Sequence, residues 1–256
     1  MAMARSENNP DRLAERLERA ESRNQAKAAD LLGQLQLAPA DQGPSGLGIM
    51  GGTFDPVHYG HLVAANTACW EYNLVGVVFV PSGRPPHKRG KVITEQEHRY
   101  RMALLATCDN SQFFVSRLEM DRPGYSYAID TVKNFAAVLG PRQPLYFITG
   151  ADAVIEILAW KNINEFFTYC SFIAVTRPGF DLGGITVEPQ LNPIYLDNIE
   201  CLEIPALAIS STDIRQRIAQ GRPVRYLLPD AVHDYIANSQ VYAPAGTAAS
   251  EAGFEY

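Results

Sequence analysis

Short, continuously apolar runs alternate with longer segments of helical periodicity along most of this chain. Runs such as 75–83 and 145–150 have the apolar character of strands in a parallel sheet that is covered on both faces. Segments such as 126–140 instead repeat apolar residues at helical spacing. The alternation predicts an α/β fold with an open, doubly wound, mostly parallel sheet and helices on both faces. The other predicted strands are the run that begins at Leu47 and segments 112–119, 171–179, 193–196 and 200–206.

The first part of the chain lacks this alternation. Segment 11–36 mixes both charge signs with sparse leucines, so its apolar stripe is thin. Such a composition predicts a solvated helix that is loosely docked or partly disordered. We therefore predict an N-terminal appendage at 1–46, one folded domain at 47–242 and a disordered tail at 243–256.

Segment 47–62, LGIMGGTFDPVHYGHL, joins the first predicted strand to a helix through a glycine turn. Gly51 and Gly52 would let the backbone approach a ligand without a Cβ clash. The start of the helix offers unpaired N–H groups and a partial positive charge, and His58 and His61 can face the same anion there. The spacing matches neither a dinucleotide-binding fingerprint nor a P-loop. The segment indicates a phosphate site, the alternative being an ordinary strand–turn–helix with incidental histidines.

The loop after the second strand, at 81–91, is strongly basic. A solvated basic loop is one explanation. The loop also follows the carboxyl end of a strand, where ligands bind in such sheets, and this position favours phosphate contact. Lys88 is the preferred candidate for this phosphate contact, and Arg84 and Arg89 are weaker candidates.

Three further parts of the chain could contact a nucleotide. Ser210 and Ser211 begin a predicted helix one turn before Arg215, and this arrangement binds phosphate oxygens or simply caps the helix. Asp152 follows the fourth strand, where a carboxylate can accept hydrogen bonds from ribose hydroxyls or act as an N-cap. Trp160 could stack on a ring or pack in the core.

Composition narrows the class of protein. A net charge of -6 over 256 residues argues against nucleic acid as the main partner. The four cysteines form no C-x-x-C pair, which favours buried thiols in a reducing cytoplasm over disulfides or a metal site. No segment reaches the length of a membrane span, so no membrane partner is expected. The two histidines of segment 47–62 lack further ligands, and no protein-held metal is predicted.

These residues resemble the signatures of the nucleotidylyltransferase superfamily, and within it the bacterial nicotinate-nucleotide adenylyltransferases. The first signature matches Gly51-Gly52-Thr53-Phe54-Asp55-Pro56 followed by His58-Tyr59-Gly60-His61, and the second matches ISSTDIR. Stretches PSGRPPHK, EHRYRMALLAT, DRPGYSYAIDT, LYFITGADA and RYLLPDAVHDYI extend the resemblance from Leu47 to Tyr242. It implies a Rossmann-like nucleotidylyltransferase fold, with 47–242 as the catalytic domain.

The resemblance implies transfer of an adenylyl group from ATP to nicotinate mononucleotide, giving deamido-NAD and pyrophosphate, with Mg²⁺ held by the substrate. The residues implied to stabilise phosphate charge are His58, His61, Lys88 and Arg215. The implied ATP-binding residues are Gly51, Gly52, Thr53, Phe54, Gly60, Ile209, Ser210, Ser211 and Thr212. The implied mononucleotide-binding residues are Ala128, Gly150, Asp152 and Trp160. At Ala128 the family often has threonine, so a hydroxyl contact is missing and a backbone N–H would serve instead.

Other functions stay open at this point. The substrate could be nicotinamide mononucleotide or phosphopantetheine, although the SYAIDT and GADA stretches argue against phosphopantetheine. A nucleotide-binding module without turnover is a second alternative, and the histidine pair argues against it. A homo-oligomer is compatible with the sequence. The appendage lies outside every motif, so removal of residues 1–45 is expected to change activity by no more than a few-fold.

Overall fold

The computed structural model describes residues 10–37, 46–141, 143–158, 163–176, 197–205 and 207–243. The predicted strand at 193–196, Trp160 and the tail beyond residue 243 lie outside these ranges. The strands are β1 (Leu47–Gly52), β2 (Gly76–Pro81), β3 (Phe113–Val115), β4 (Leu145–Gly150), β5 (Ser171–Thr176) and β6 (Ile199–Glu203). The α-helices are α1 (Pro10–Leu37), α2 (Tyr59–Glu71), α3 (Gln96–Thr107), α4 (Ala128–Leu139), α5 (Ala151–Leu158), α6 (Ile163–Phe167), α7 (Ser211–Ala219) and α8 (Asp230–Ser239).

The six described strands form one sheet in the order β3-β2-β1-β4-β5-β6, and every neighbouring pair is parallel. Leu47 at the start of β1 lies between Gly76 of β2 and Leu145 of β4. The order of the strands reverses between β1 and β4, which makes this the topological switch point of the sheet. The predicted fold class is confirmed. Among the described helices, none is both long enough and apolar enough to cross a bilayer.

Each face of the sheet has its own apolar core. In β2, Val77 and Phe79 belong to one cluster, whereas Val78 and Val80 belong to the other. Residues of α2, α3, α7 and α8 complete the first cluster, and residues of α4, α5 and α6 complete the second. Both faces of every central strand are therefore buried, which is why the strands read as continuous apolar runs.

Strand β3 is shorter than the prediction of 112–119. The chain turns directly after Val115, because the carbonyl of Arg117 accepts hydrogen bonds from the N–H groups of Met120 and Asp121, at 2.8 and 2.9 Å. This turn leads into the segment that precedes α4, which forms part of the site described below.

The N-terminal helix α1 is 28 residues long and packs against the domain. Ala20 belongs to one core cluster, and Leu31 and Leu35 belong to the other. The thin apolar stripe indicated looser docking than the structure shows. The difference arises because polar side chains of α1, above all the buried Asn24, also bond to the domain.

Candidate active site

Two cavities open at the carboxyl ends of β1 and β4, at the switch point of the sheet. The first, here called the histidine cavity, has a volume of about 470 Å³ and is lined by His58 and His61. The second, here called the α4 cavity, has a volume of about 560 Å³ and is lined by the start of α4. Gly51 and Thr149 line both cavities, so the two share a wall. Two ligands that occupied the cavities would meet at this wall.

Many of the predicted site residues come together here. In the histidine cavity they are Gly51, His58, Gly60, His61, Gly150 and Ile209. In the α4 cavity they are Gly51, Gly52, Thr53 and Ala128.

The two histidines lie at the start of α2, where His58 is the N-cap residue. Their rings stack with centroids 3.7 Å apart, and the Phe54 ring meets His61 edge-on at 5.1 Å. The backbone N–H of His58 donates to Nδ1 of His61 at 3.2 Å. This bond leaves the proton of a neutral His61 on Nε2. Although His58 and His61 are arranged as a capping box, Nδ1 of His58 is buried and makes no hydrogen bond of good geometry within the described residues.

Burial keeps both histidine rings neutral at pH 7 in this structure. It lowers the pKa of His58 from 6.5 to about 4. The pKa of His61 lies well below 6.5, first because of burial and second because of the neighbouring His58. A phosphate anion in the cavity would oppose both effects, because a nearby negative charge favours the protonated ring.

Close packing explains two of the predicted glycines. A Cβ atom at Gly51 would lie 2.9 Å from the Phe147 ring, and one at Gly60 would lie 3.0 Å from Nδ1 of His58. A side chain at either position would press on the ring of Phe147 or His58, and that ring, which lines a cavity, would have to shift. Gly150 differs, since a Cβ there would meet nothing within 4 Å.

Lys88 reaches the glycine turn from the loop after β2. A short 3-10 turn, Pro86–Lys88, brings its Nζ to 2.7 Å from the hydroxyl oxygen of Thr53. Partial burial lowers the pKa of Lys88, while the charge of Asp55 opposes that shift. The two weaker candidates, Arg84 and Arg89, are exposed. Lys88 thus contacts Thr53, which lines the α4 cavity.

Helix α7 holds the turn between β1 and α2. Arg215 donates to the backbone carbonyl of Asp55 at 2.6 Å, and the hydroxyl of Ser211 donates to the carbonyl of Pro56 at 2.8 Å. The hydroxyl of Ser210 caps α7 by accepting from the N–H of Asp213. The two serine hydroxyls and the Arg215 guanidinium are thus engaged within the protein, which leaves backbone N–H groups at the start of α7 to face a ligand.

The α4 cavity is apolar and ends at a helix N-terminus. Ala128 is the first residue of α4, and the N–H groups of Ala128 and Ile129 have no partner inside the helix, whereas that of Asp130 donates to the carbonyl of Tyr127 at 3.1 Å. The buried carboxylate of Glu119 also lines the cavity and accepts a hydrogen bond from the Thr131 hydroxyl at 2.6 Å. Burial raises the pKa of Glu119, and its hydrogen bonds oppose that shift.

Comparison with known proteins agrees with this geometry. The cytidylyltransferase-like family model matches residues 49–217, which span β1 to α7 and include both signature segments. This chain belongs to the cytidylyltransferase-like family. The membership that the sequence predicted is confirmed.

Several members of the family are close in sequence to this chain. A Moorella thermoacetica protein named "Probable nicotinate-nucleotide adenylyltransferase" is 54% identical over 202 residues, which cover 78% of this chain and 93% of the relative. A protein of the same name from Mycobacterium bovis is 47% identical over 199 residues, covering 78% and 92% of the two chains. Both relatives are matched over nearly their whole length.

A solved structure shares the fold. It is the nicotinic acid mononucleotide adenylyltransferase of Plasmodium falciparum complexed with NaAD, with a TM-score of 0.61 at 21% identity. The likeness covers 77% of this chain and 97% of that chain. At this level of identity it supports the fold alone.

Two residues that the sequence analysis missed hold the signature turn of the family in place. The buried Arg99 donates to the carbonyls of Thr53 at 2.9 Å and Gly83 at 3.3 Å. The hydroxyl of Tyr242 donates to the Asp55 carboxylate at 2.7 Å. An arginine on the apolar face of α3 was the available signal for Arg99. For Tyr242, which lies beyond the family match, nothing in the sequence indicated the contact.

Two predicted residues cannot be placed in this site. Trp160 lies outside the described residues, and of Asp152 only the backbone is described, as the second residue of α5. The described parts of the chain contain no group of three His, Cys, Asp or Glu side chains that could hold a metal ion.

Proposed function

We propose that this protein is a nicotinate-nucleotide adenylyltransferase, which transfers an adenylyl group from ATP to nicotinate mononucleotide. The products are deamido-NAD and pyrophosphate. The observation that carries this proposal is the pair of cavities that meet at Gly51 and Thr149, because the reaction joins two nucleotides. The relative that is 54% identical and bears this name supports the choice of substrates.

The histidine cavity receives ATP. Its triphosphate lies at the start of α2, where the positive end of the helix dipole, His58 and His61 meet negative charge. Lys88 and Arg215 approach from the two sides of the turn and add fixed positive charge. Catalysis then consists of positioning and electrostatic stabilisation, as in other phosphoryl transfers.

The reaction is an in-line displacement at the α-phosphorus of ATP. A phosphate oxygen of the mononucleotide forms a bond to this phosphorus while the bond to the bridging oxygen breaks. Pyrophosphate leaves with the electron pair. His58 and His61 gain protons more easily as charge builds up on the leaving group, because nearby negative charge raises the pKa of an imidazole.

The α4 cavity receives the pyridine ring and its carboxylate. The N–H groups at Ala128 and Ile129 donate to the carboxylate, which a helix N-terminus also favours electrostatically. An amide presents an NH₂ group that cannot accept these bonds, so a nicotinamide ring leaves a donor unpaired. Trp160 keeps its predicted role, which is to stack on the ring, and Asp152 keeps its predicted contact with ribose.

Mg²⁺ would be held mostly by substrate phosphates and water, since Mg²⁺ commonly binds through phosphate oxygens. When bound, the ion would supply charge neutralisation on the triphosphate. Cys69, Cys108 and Cys170 are free thiols, which fits a reducing cytoplasm as the place of action.

The test is pyrophosphate release by the full chain with ATP and one of three acceptors. Nicotinate mononucleotide should give the highest kcat/KM, with nicotinamide mononucleotide far lower and phosphopantetheine inactive. A preference for either of the other acceptors would replace the proposed substrate. ATP binding without pyrophosphate release would point to the non-catalytic module instead.

A further inference from the structure

Helix α1 completes the open edge of the sheet. In β3, Val115 lies opposite Phe79 of β2, and Ser116 donates to the Phe79 carbonyl. The N–H and C=O of Val115 therefore face the other way, towards the edge. The side chain of Asn24 meets both: its Oδ1 accepts from the Val115 N–H at 2.7 Å, and its Nδ2 donates to the Val115 carbonyl at 3.0 Å. Asn24 thus takes the place of a neighbouring strand.

A second side chain of α1 holds the chain just before β3. The Nζ of Lys27 lies 2.9 Å from the carbonyl of Thr107 and 3.0 Å from that of Asn110. Thr107 is the last residue of α3, so Lys27 caps this helix and also holds the turn into β3. Lys27 is partly buried, which lowers its pKa.

A third contact reaches the turn after β3. The hydroxyl of Tyr100 donates to the Glu21 carboxylate at 3.1 Å. The guanidinium of Arg117 lies 4.5 Å from the centre of the Tyr100 ring, and it also donates to Asp121 at 3.3 Å. Helix α1 therefore contacts Val115 directly and reaches Arg117, in the turn that follows, through Tyr100 of α3.

That turn leads directly into a wall of the α4 cavity. Glu119 and Ser126 both line the cavity. Glu119 bonds to Thr131 of α4, while the Ser126 hydroxyl accepts from the N–H of Arg84 at 3.0 Å. A shift of β3 would displace these side chains, because only three residues separate Val115 from Glu119.

We propose that α1, through Asn24, positions the wall of the α4 cavity and so sets the affinity of this enzyme for the mononucleotide. Asn24 is a positioning residue, and this role rests on the proposed function. The family match begins at residue 49, so this support is provided by a part of the chain outside the matched region. This proposal opposes the expectation that removal of residues 1–45 changes activity by no more than a few-fold.

The experiment compares Asn24→Ala with Gln25→Ala in the full chain. Gln25 is the next residue, carries the same amide group and is exposed. In Asn24→Ala the KM for nicotinate mononucleotide should rise about 3- to 10-fold, as expected for lost hydrogen bonds, with the KM for ATP and kcat within about twofold. Amide hydrogen exchange in segment 116–127 should become faster. Gln25→Ala should match the wild type in every measurement.

A stability control separates positioning from general loosening. Ile236→Val removes one buried methyl group on α8, in the apolar core on the sheet face opposite α4. It should lower Tm without changing the mononucleotide KM. Equal increases of both KM values in Asn24→Ala, or an unchanged mononucleotide KM, would overturn the proposal. If Asn24→Ala does not fold, Asn24→Asp replaces it, because it keeps the acceptor for the Val115 N–H and should show the same split.

A failure of the positioning role of Asn24 can be distinguished from a failure of the proposed function. A wild-type chain that releases no pyrophosphate with nicotinate mononucleotide contradicts the function itself. Hydrogen exchange in segment 116–127 does not depend on substrate and still decides whether Asn24 orders this wall. An exchange rate that Asn24→Ala leaves unchanged would overturn the positioning role under either result.

Discussion

The two cavities that meet at Gly51 differ in charge and in the groups that line them. The histidine cavity has two imidazoles at a helix N-terminus, and Arg215 binds the turn that leads into this helix. Lys88 bonds to Thr53, which lines the α4 cavity next to the shared wall. The α4 cavity has mainly apolar walls, which include Phe147 and Phe166, with the carboxylate of Glu119 among them. The first is suited to a highly charged triphosphate, and the second to a flat ring with one carboxylate. Substitutions on the first side should therefore affect turnover, and substitutions on the second should affect affinity and selectivity.

The largest expected effect is on the histidine side. Replacing His61 by Ala should lower kcat about 10²- to 10³-fold with the fold intact, because a donor to developing phosphate charge is lost. Pyrophosphate release measures kcat, and circular dichroism shows whether the fold is intact. His233→Ala, at a partly exposed position on α8, is the matched control and should stay near wild type. Near-normal turnover of a folded His61→Ala protein would remove His61 from the catalytic groups.

The buried histidines should also make stability depend on pH. The pKa of His58 falls from 6.5 to about 4 on folding, so the unfolded chain binds a proton more readily than the folded chain. His58 therefore does not reduce the free energy of unfolding above pH 6.5. Below that pH its protonation in the unfolded chain lowers the free energy of unfolding, by roughly 3 kcal/mol as the pH falls to 4. Urea unfolding at pH 7.5 and 4.5 should show a smaller loss in His58→Asn. Adding ATP should reduce the loss in the wild type, since bound phosphate raises the histidine pKa.

Tyr242→Phe tests whether the turn between β1 and α2, which contains Asp55, belongs to the ATP side. The variant loses the buried bond to the Asp55 carboxylate, which should cost about 1–3 kcal/mol of stability. The KM for ATP should rise more than the KM for the mononucleotide, which is the reverse of the split expected for Asn24→Ala. Tyr226→Phe is the control, because Tyr226 is 80% exposed. A larger rise in the mononucleotide KM would contradict the division between the two sides.

The smallest effect is expected at the start of α4. Ala128→Thr adds a hydroxyl where the resembled enzymes often have one, and one additional hydrogen bond should raise the preference for nicotinate over nicotinamide mononucleotide about 2- to 10-fold. The ratio of the two kcat/KM values measures this preference. Ala137→Thr places the same side chain on an exposed part of α4 and should leave the ratio unchanged. A falling ratio would mean that the carboxylate lies elsewhere.

Much of the fold follows from local pattern. The apolar runs identified β1, β2 and β4 because central strands are buried on both faces, and helical spacing identified α2 and α4. Strand β3 was predicted too long, since the turn at Arg117 depends on backbone bonds that the composition of 112–119 does not reveal.

The sequence by itself determined the family, the glycine turn and the histidine pair, because each depends on residues close together in the chain. Spacing alone puts His58 and His61 on the first turn of one helix. The docking of α1 was decided only by the tertiary structure. Asn24 lies 91 residues from Val115, and an isolated asparagine on a charged helix carries no local signal of such a partner.

The same holds for the shared wall of the two cavities and for the buried Arg99. These features join side chains and carbonyls from separate strands and loops, and the strand order brings them to one edge of the sheet. Hydrogen bonds between distant segments depend on position in space, whereas periodicity and motifs record only position along the chain. For this reason the sequence could indicate candidate site residues, while the elements that hold these residues together could not be predicted from it.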